Sequence, residues 1–243
     1  FKTNSEIYLN LLSFPKKIMF QNYISANKTA DALNTIKNSL VVATLTTVFN
    51  TVVGMMAAYI LSRKDYKFLK WVYVFFMIGV MVPVHCTLIP INNIATALNA
   101  KNNLFFLILI YVAFGMSQAI FLYTGFMDGI SRNLDEAAII DGCSPIGCFF
   151  KMVVPMSLNS IITVATMQAV FCWNEYINAY TFTRSTDMKT ITLGLNDFVG
   201  SMGLTDWGGT FAAITVTVLP VFIFYFFSSK KMLAGMTAGA VKG

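Results

Sequence analysis

The chain has 243 residues, 56% of them hydrophobic and 12% charged, with a mean hydropathy of +0.66 and a net charge of +6. A soluble domain carries about twice that charged fraction, so the composition excludes an ordinary water-soluble globule and places the chain in a membrane. No basic run interleaved with aromatics is present, which argues against nucleic acid as a partner.

Residues 1–37 are polar and mixed, broken at Phe14-Pro15, with helical character near Thr29–Asn38. Five uncharged stretches follow: Asn38–Ser62, Trp71–Ala100 with His85 taken as neutral, Asn102–Met127, Met152–Asn174 and Trp207–Ser229, none shorter than 23 residues. A helix needs roughly 20 residues to cross a hydrocarbon core of about 30 Å. Its backbone must satisfy its own hydrogen bonds there, which favours helices. The expected fold is an all-α polytopic membrane protein with spans near 39–62, 71–91, 104–126, 153–174 and 209–228. Pro83 and Pro90 fall in or at the end of the second span and Pro220 in the last; each removes a helical hydrogen bond and can kink its span.

Loop charge sets the expected orientation. Arg63–Lys70, the 127–151 loop and the tail carry nine Lys/Arg, against three in the loops holding Lys101, Arg184 and Lys189. The positive-inside rule puts the first group in the cytoplasm. The C-terminus is then cytoplasmic and residues 1–37 lie outside, although they carry five lysines. An outside segment that begins at Phe1 without a signal pattern implies a further span before this numbering, six in all. Residues 38–243 then form one transmembrane domain, with a cytoplasmic loop at 128–152 and a cytoplasmic tail at 230–243.

Chemistry in the usual sense is not written into this chain. Cys86, Cys143, Cys148 and Cys172 fall in spans or in the cytoplasmic loop, where structural disulfides are not expected. Cys143 and Cys148 lack the second Cys/His pair that a zinc site needs, and a lone His85 builds neither a triad nor a metal cluster. No Gly-x-x-x-x-Gly-Lys-Ser/Thr loop is present, so no ATP site is expected. Ion-coupled transport would need ionisable residues inside the membrane, and the spans hold none besides His85. The polar groups within spans are Asn50, Gln118, Asn159 and Gln168, with Asn174 and Glu175 at the outer boundary. They are pathway candidates, each also suited to helix–helix contact or, at the boundary, to capping.

The stretch Glu136–Pro155, EAAIIDGCSPIGCFFKMVVP, is amphipathic where its flanks are not. Asn133 is placed to cap a helix starting at Leu134, with Asp135 and Glu136 in the first turn. Gly142 can end it at positive φ. Ser144-Pro145 starts a second helix that feeds the next span. A helix resting on anionic lipid presents Lys and Arg on its polar face. Here that face carries Asp135, Glu136 and Asp141, which favours a protein partner.

At this point the residues carry a resemblance. Glu136-Ala137-Ala138, three residues, Gly142, nine residues and Met152-Val153-Val154-Pro155 resemble the EAA motif of ABC importer permeases, Glu-Ala-Ala-x3-Gly-x9-Ile-x-Leu-Pro; Met152 and Val154 are the departures. Trp173-Asn174-Glu175 and the ending Thr237–Gly243 resemble the carbohydrate-uptake branch, in particular its MalG-type permeases. The resemblance implies the transmembrane domain of a type I ABC importer in a bacterial cytoplasmic membrane, multi-pass and itself noncatalytic. It implies that Glu136, Ala137, Ala138, Asp141, Gly142 and Pro155 couple to an ATPase, and that Ala238, Gly239 and Lys242 add a tail contact. The external Asn178–Gly200 region would meet a binding protein. The implied partners are a second permease, two ATPase subunits, an external sugar-binding protein and membrane lipid. ATP and Mg would sit on the ATPase, with no cofactor on this chain. The expected cargo is a sugar, in the di- to tetrasaccharide range, with glycerol phosphates and polyols as the alternative. An ion-coupled secondary transporter and a membrane-bound enzyme are the readings from other classes.

Overall fold

Each long apolar stretch becomes helix, because a backbone without water must bond to itself. The computed structural model describes residues 1–198 and 206–240, and every regular element among them is helical. In chain order these are α1 (Asn4–Leu9), α2 (Gln21–Ala30), α3 (Ala32–Arg63), α4 (Lys67–Met81), α5 (Leu88–Ala97), α6 (Leu104–Met127) and α7 (Arg132–Ile140). They continue as α8 (Pro145–Met156), α9 (Leu158–Asn174), α10 (Ile177–Phe182), α11 (Ile191–Gly194) and α12 (Trp207–Ala240).

Among the described residues, Ala32–Arg63, Leu104–Met127 and Trp207–Phe226 are each long and apolar enough to cross a membrane. Two further spans exist only if a broken helix pair counts as one, which corrects the expected continuous spans at 71–91 and 153–174. In the first, α4 stops at Met81, Val82 is extended, and a short 3-10 turn at Val84–Thr87 leads into α5. Pro83 sits in the gap, where its missing N–H and ring end the helix. In the second, α8 and α9 meet at a bend of 77° around Ser157. Pro220, by contrast, lies inside α12 without ending it. Many large apolar side chains on α3, α4 and α12 are exposed, Phe75, Phe222 and Phe226 by more than two thirds, as a surface made for lipid or protein contact requires.

The chain divides into two compact units. The first comprises Phe1–Ala43, Leu88–Leu107 and Phe171–Phe224. Its alanine seam, Ala26 and Ala30 of α2 against Ala212 and Ala213 of α12, brings backbones close. Asn38 donates to the carbonyls of Asp187 and Lys189 at 2.8 and 2.9 Å, and Ser39 Oγ accepts from Ile191 N at 2.8 Å. Asn102 Oδ1 accepts from the backbone N–H of Arg184 and Ser185, at 3.0 and 2.8 Å. Polar side chains thus hold the 183–191 loop, which has little core of its own.

The second unit comprises Thr44–Thr87, Ile108–Val170 and Tyr225–Gly243. Its core is Met55 and Ala58 of α3, Ala119, Tyr123 and Met127 of α6, Phe149 and Val153 of α8, and Val164 of α9. Small residues set how near the helices come: a Cβ on Gly54 would lie 3.1 Å from that of Ala119.

Candidate coupling site

The loop between α6 and α9 folds as its sequence directs, with one shift at its start. Ser131 rather than Asn133 caps α7: its Oγ accepts from Asn133 N at 3.3 Å, and the helix begins at Arg132. The other end is a Schellman turn. Gly142 N donates to Ile139 O at 3.0 Å, Cys143 N donates to Ala138 O at 2.9 Å, and Gly142 has φ +85. Ser144 Oγ then accepts from Gly147 N at 3.1 Å with Pro145 at the first position of α8. A π-helical turn at Phe149–Val153 precedes the bend at Ser157. Pro155 therefore sits in the short helix before the bend.

Two cations fasten α7 to the end of α3. The Arg63 and Asp135 side chains, 8% and 11% exposed, pair at 2.5 Å from Nε to Oδ2. The pair acts through charge, since neither of those two atoms meets hydrogen-bond geometry. Arg63 Nη1 and Nη2 also donate to Met127 O and Ile130 O at 3.2 and 3.1 Å. Asp135 Oδ1 accepts from Cys148 Sγ of α8 at 3.2 Å. Nearby, Arg132 reaches Asp65 Oδ2 and Ser62 O, both at 2.7 Å. Its bonds hold the Asp65 carboxyl below the usual 3.8.

The two pairs differ in weight. Removing one partner of a buried pair costs about 3–5 kcal/mol, because the other charge stays buried. The Arg132–Asp65 side chains are 50% and 74% exposed, and exposed pairs contribute little. Asp65→Asn is therefore expected to melt like the parent protein, and Asp135→Asn clearly lower, in a detergent thermal-shift measurement. The reverse ranking would contradict this assignment. A depressed carboxyl contributes stability above its unfolded pKa and loses it only as pH falls through the depressed value. Between about pH 5 and 8, Asp65→Asn should show no pH-dependent difference in melting.

What α7 leaves open follows from this fastening. Glu136, Ala137, Ile139, Ile140 and Asp141 are exposed, Ile140 to 85%. Asp135 and Ala138 are buried against their own chain. Of the residues expected to meet a partner, Ala138 is thus a packing residue, and Glu136, Ala137, Asp141 and Gly142 remain on the surface. A groove of about 750 Å³ runs beside them, with Tyr59, Ile60, Ile139 and Ile146 among its walls. Ala238 and Gly239 fall on the backbone of α12, while Lys242 and the Gly200 end of the 178–200 region lie outside the described residues.

Among the pathway candidates, the structure brings Asn50 and Gln168 together. Both are buried and flank Gly115 of α6, whose missing Cβ leaves the room they occupy. Neither end of the Asn50 amide finds a partner among the described residues. Gln118 and Asn159 are exposed on α6 and α9. Asn174 is exposed too, and Glu175 caps α10, accepting from Asn178 N at 2.9 Å and Ala179 N at 3.2 Å. Arg63 and Arg132 were not singled out from sequence. The available signal was that Arg63 ends a long uncharged run and that an acid, Asp135, stands in the first turn of the expected loop helix.

Among the described residues, three helices long and apolar enough to cross a membrane and two sharply bent helix pairs mark a multi-pass membrane protein, with the short amphipathic α7 keyed to the end of α3. Residues 50–233 match the family described as binding-protein-dependent transport system inner membrane component, and the chain belongs to it. It is 31% identical, over all of its length and 88% of the relative, to a protein of Thermoanaerobacterium thermosulfurigenes named a probable starch degradation products transport system permease. It is 28% identical to the diacetylchitobiose uptake system permease DasC of Streptomyces coelicolor, over 99% of this chain and 87% of that one. In fold it resembles a chain of a bacterial ABC transporter involved in import of the acidic polysaccharide alginate, with a TM-score of 0.82 and 18% identity over 94% of this chain and 85% of that one.

Proposed function

We propose that this chain is the noncatalytic permease subunit of an ATP-driven, binding-protein-dependent importer of oligosaccharides. The observation that carries the proposal is α7: a helix fastened to α3 that leaves Glu136, Ala137, Ile140 and Asp141 uncovered ahead of a glycine turn. A cleft in an ATPase subunit would take this face, with ATP and Mg held by that subunit. Uncharged spans favour an external energy source over ion coupling. The saccharides in the relatives' names favour a sugar cargo. A second permease completes the pathway, and the 178–200 segment meets the sugar-loaded binding protein on the outer side. Positive-inside counting puts α7 and the C-terminus in the cytoplasm.

The test is the full complex in proteoliposomes, offered maltotriose and diacetylchitobiose in turn with the matching binding protein. Sugar-stimulated ATP hydrolysis and ATP-dependent uptake are expected. Uptake that survives ATP depletion but collapses with the proton gradient would sink the proposal. Deleting Ala238–Gly243 is expected to lower sugar-stimulated hydrolysis while the permease still inserts. Failure to insert would show that the tail serves folding instead.

A further inference from the structure

Arg63 spends each arm of its guanidinium on a different place. Nε faces Asp135 on α7, Nη1 reaches the carbonyl of Met127, the last residue of α6, and Nη2 reaches that of Ile130 in the α6–α7 connection. Arg63 is itself the last residue of α3. Asp135 extends the junction to α8 through Cys148. The planar fork makes this arrangement specific, since a lysine ammonium is a point charge on a flexible stem. Asp135 stands directly before Glu136, so the residue offered to a partner and the residue locked to the spans are neighbours on one helix.

We infer that Arg63 and Asp135 are positioning residues for coupling: they make α7 move as one body with the ends of α3 and α6. This rests on the importer reading above. Displacement of a docked α7 then reaches both long helices through a buried ion pair and two carbonyls, without relying on the loop backbone alone. Lone charges left in that junction would loosen it and destabilise it together, so the experiment must separate the two effects.

A suitable series is Asp135→Asn, Arg63→Lys and the double variant Arg63→Met with Asp135→Leu, each in the whole complex in nanodiscs and proteoliposomes. The readouts are the melting temperature, the ATPase subunits retained on purification, and sugar moved per ATP hydrolysed, using whichever of maltotriose or diacetylchitobiose the parent complex transports. Replacing a buried ion pair with apolar groups often leaves stability unharmed. The double variant strands no charge but leaves the Met127 and Ile130 carbonyls without their donor. It should therefore melt above Asp135→Asn and somewhat below the parent, yet move about tenfold less sugar per ATP, with its ATPase subunits still bound. Arg63→Lys should fall between. Recovery of both melting temperature and sugar per ATP in the double variant would make the pair merely structural. Loss of ATPase subunits, as expected for Glu136→Ala, would make it part of docking. A parent complex that binds no ATPase and shows no ATP-driven uptake would remove the importer reading itself, which the variants alone would not do.

Discussion

Gly115→Val is expected to lower accumulation of the folded permease sharply, and Gly115→Ala to lower it measurably. A Cβ at Gly115 would overlap Asn50 Nδ2 and Gln168 Oε1 and lie 2.7 Å from Gln168 Cδ. Both amides are buried, Asn50 to 1% exposure, and α3, α6 and α9 meet there. Overpacking a close-fitted interior costs about 1–3 kcal/mol. Pushing two buried amides away from their places adds the cost of disturbing polar groups that have no water to turn to. Gly125, on the same helix, is the control: nothing lies within 4 Å of its Cβ position, and Gly→Ala in a helix gains up to about 1 kcal/mol. Fluorescence-detected size exclusion of solubilised membranes reads both variants. Because the clash is with a named side chain, Asn50→Ala should restore part of what Gly115→Ala loses, a coupling expected of residues in contact. Normal monodisperse yield of Gly115→Ala alone would refute the packing argument.

Gly115 also marks the limit of what the sequence discloses. A glycine in an apolar span reads as ordinary close packing until the polar residues of two other helices are seen beside it. Features with a local cause were legible: α6 runs Leu104–Met127 where 104–126 was expected, Gly142 is left-handed, and Ser144-Pro145 opens a helix. Each depends on neighbours in sequence, through hydropathy, φ or capping. The break after Met81 was foreshadowed by Pro83, and the bend at Ser157 lies two residues after Pro155, which reads in the sequence as part of the coupling motif rather than as a helix breaker. Arg63 and Asp135 were hidden for another reason. A basic residue at the end of a span is accounted for by topology, and an acid in a first turn by the helix dipole. Only the fold shows that the two charges pair, and that Asp135 is therefore withdrawn from the face that the sequence assigns it. That face is smaller and more apolar than the sequence suggests, with Glu136 and Asp141 bordering Ile139 and Ile140.

Substituting Gly142 should separate coupling from folding where Gly115 does not. Gly142→Asp is expected to leave the permease inserted and monodisperse but to reduce ATP-driven sugar uptake by about tenfold. No atom lies within 4 Å of its Cβ position, so the chain itself offers no clash, and the cost lies in the backbone at φ +85. A side chain in the left-handed region costs about 1–2 kcal/mol, too little to unfold a domain of ordinary stability. Asp, like Asn, meets only the low end of that backbone cost, so most of the expected tenfold must come from its added charge, since 1.4 kcal/mol is a factor of ten. The turn sets the angle between α7 and α8, and with it how Glu136 and Ile140 are presented. Asp also adds a third acid beside Glu136 and Asp141. Gly142→Asn shares the size of Asp, tolerates the left-handed region better than most residues and adds no charge, so it should keep most of the uptake. Gly142→Val, β-branched and badly suited to positive φ, should lose the most. The order Asn, Asp, Val in uptake, at equal yield in the membrane, identifies backbone conformation and charge as separate contributions. Equal uptake in all three would mean that the glycine turn plays no part in coupling. Loss of yield in step with uptake would place Gly142 with Gly115, as a residue the fold needs before the transporter does.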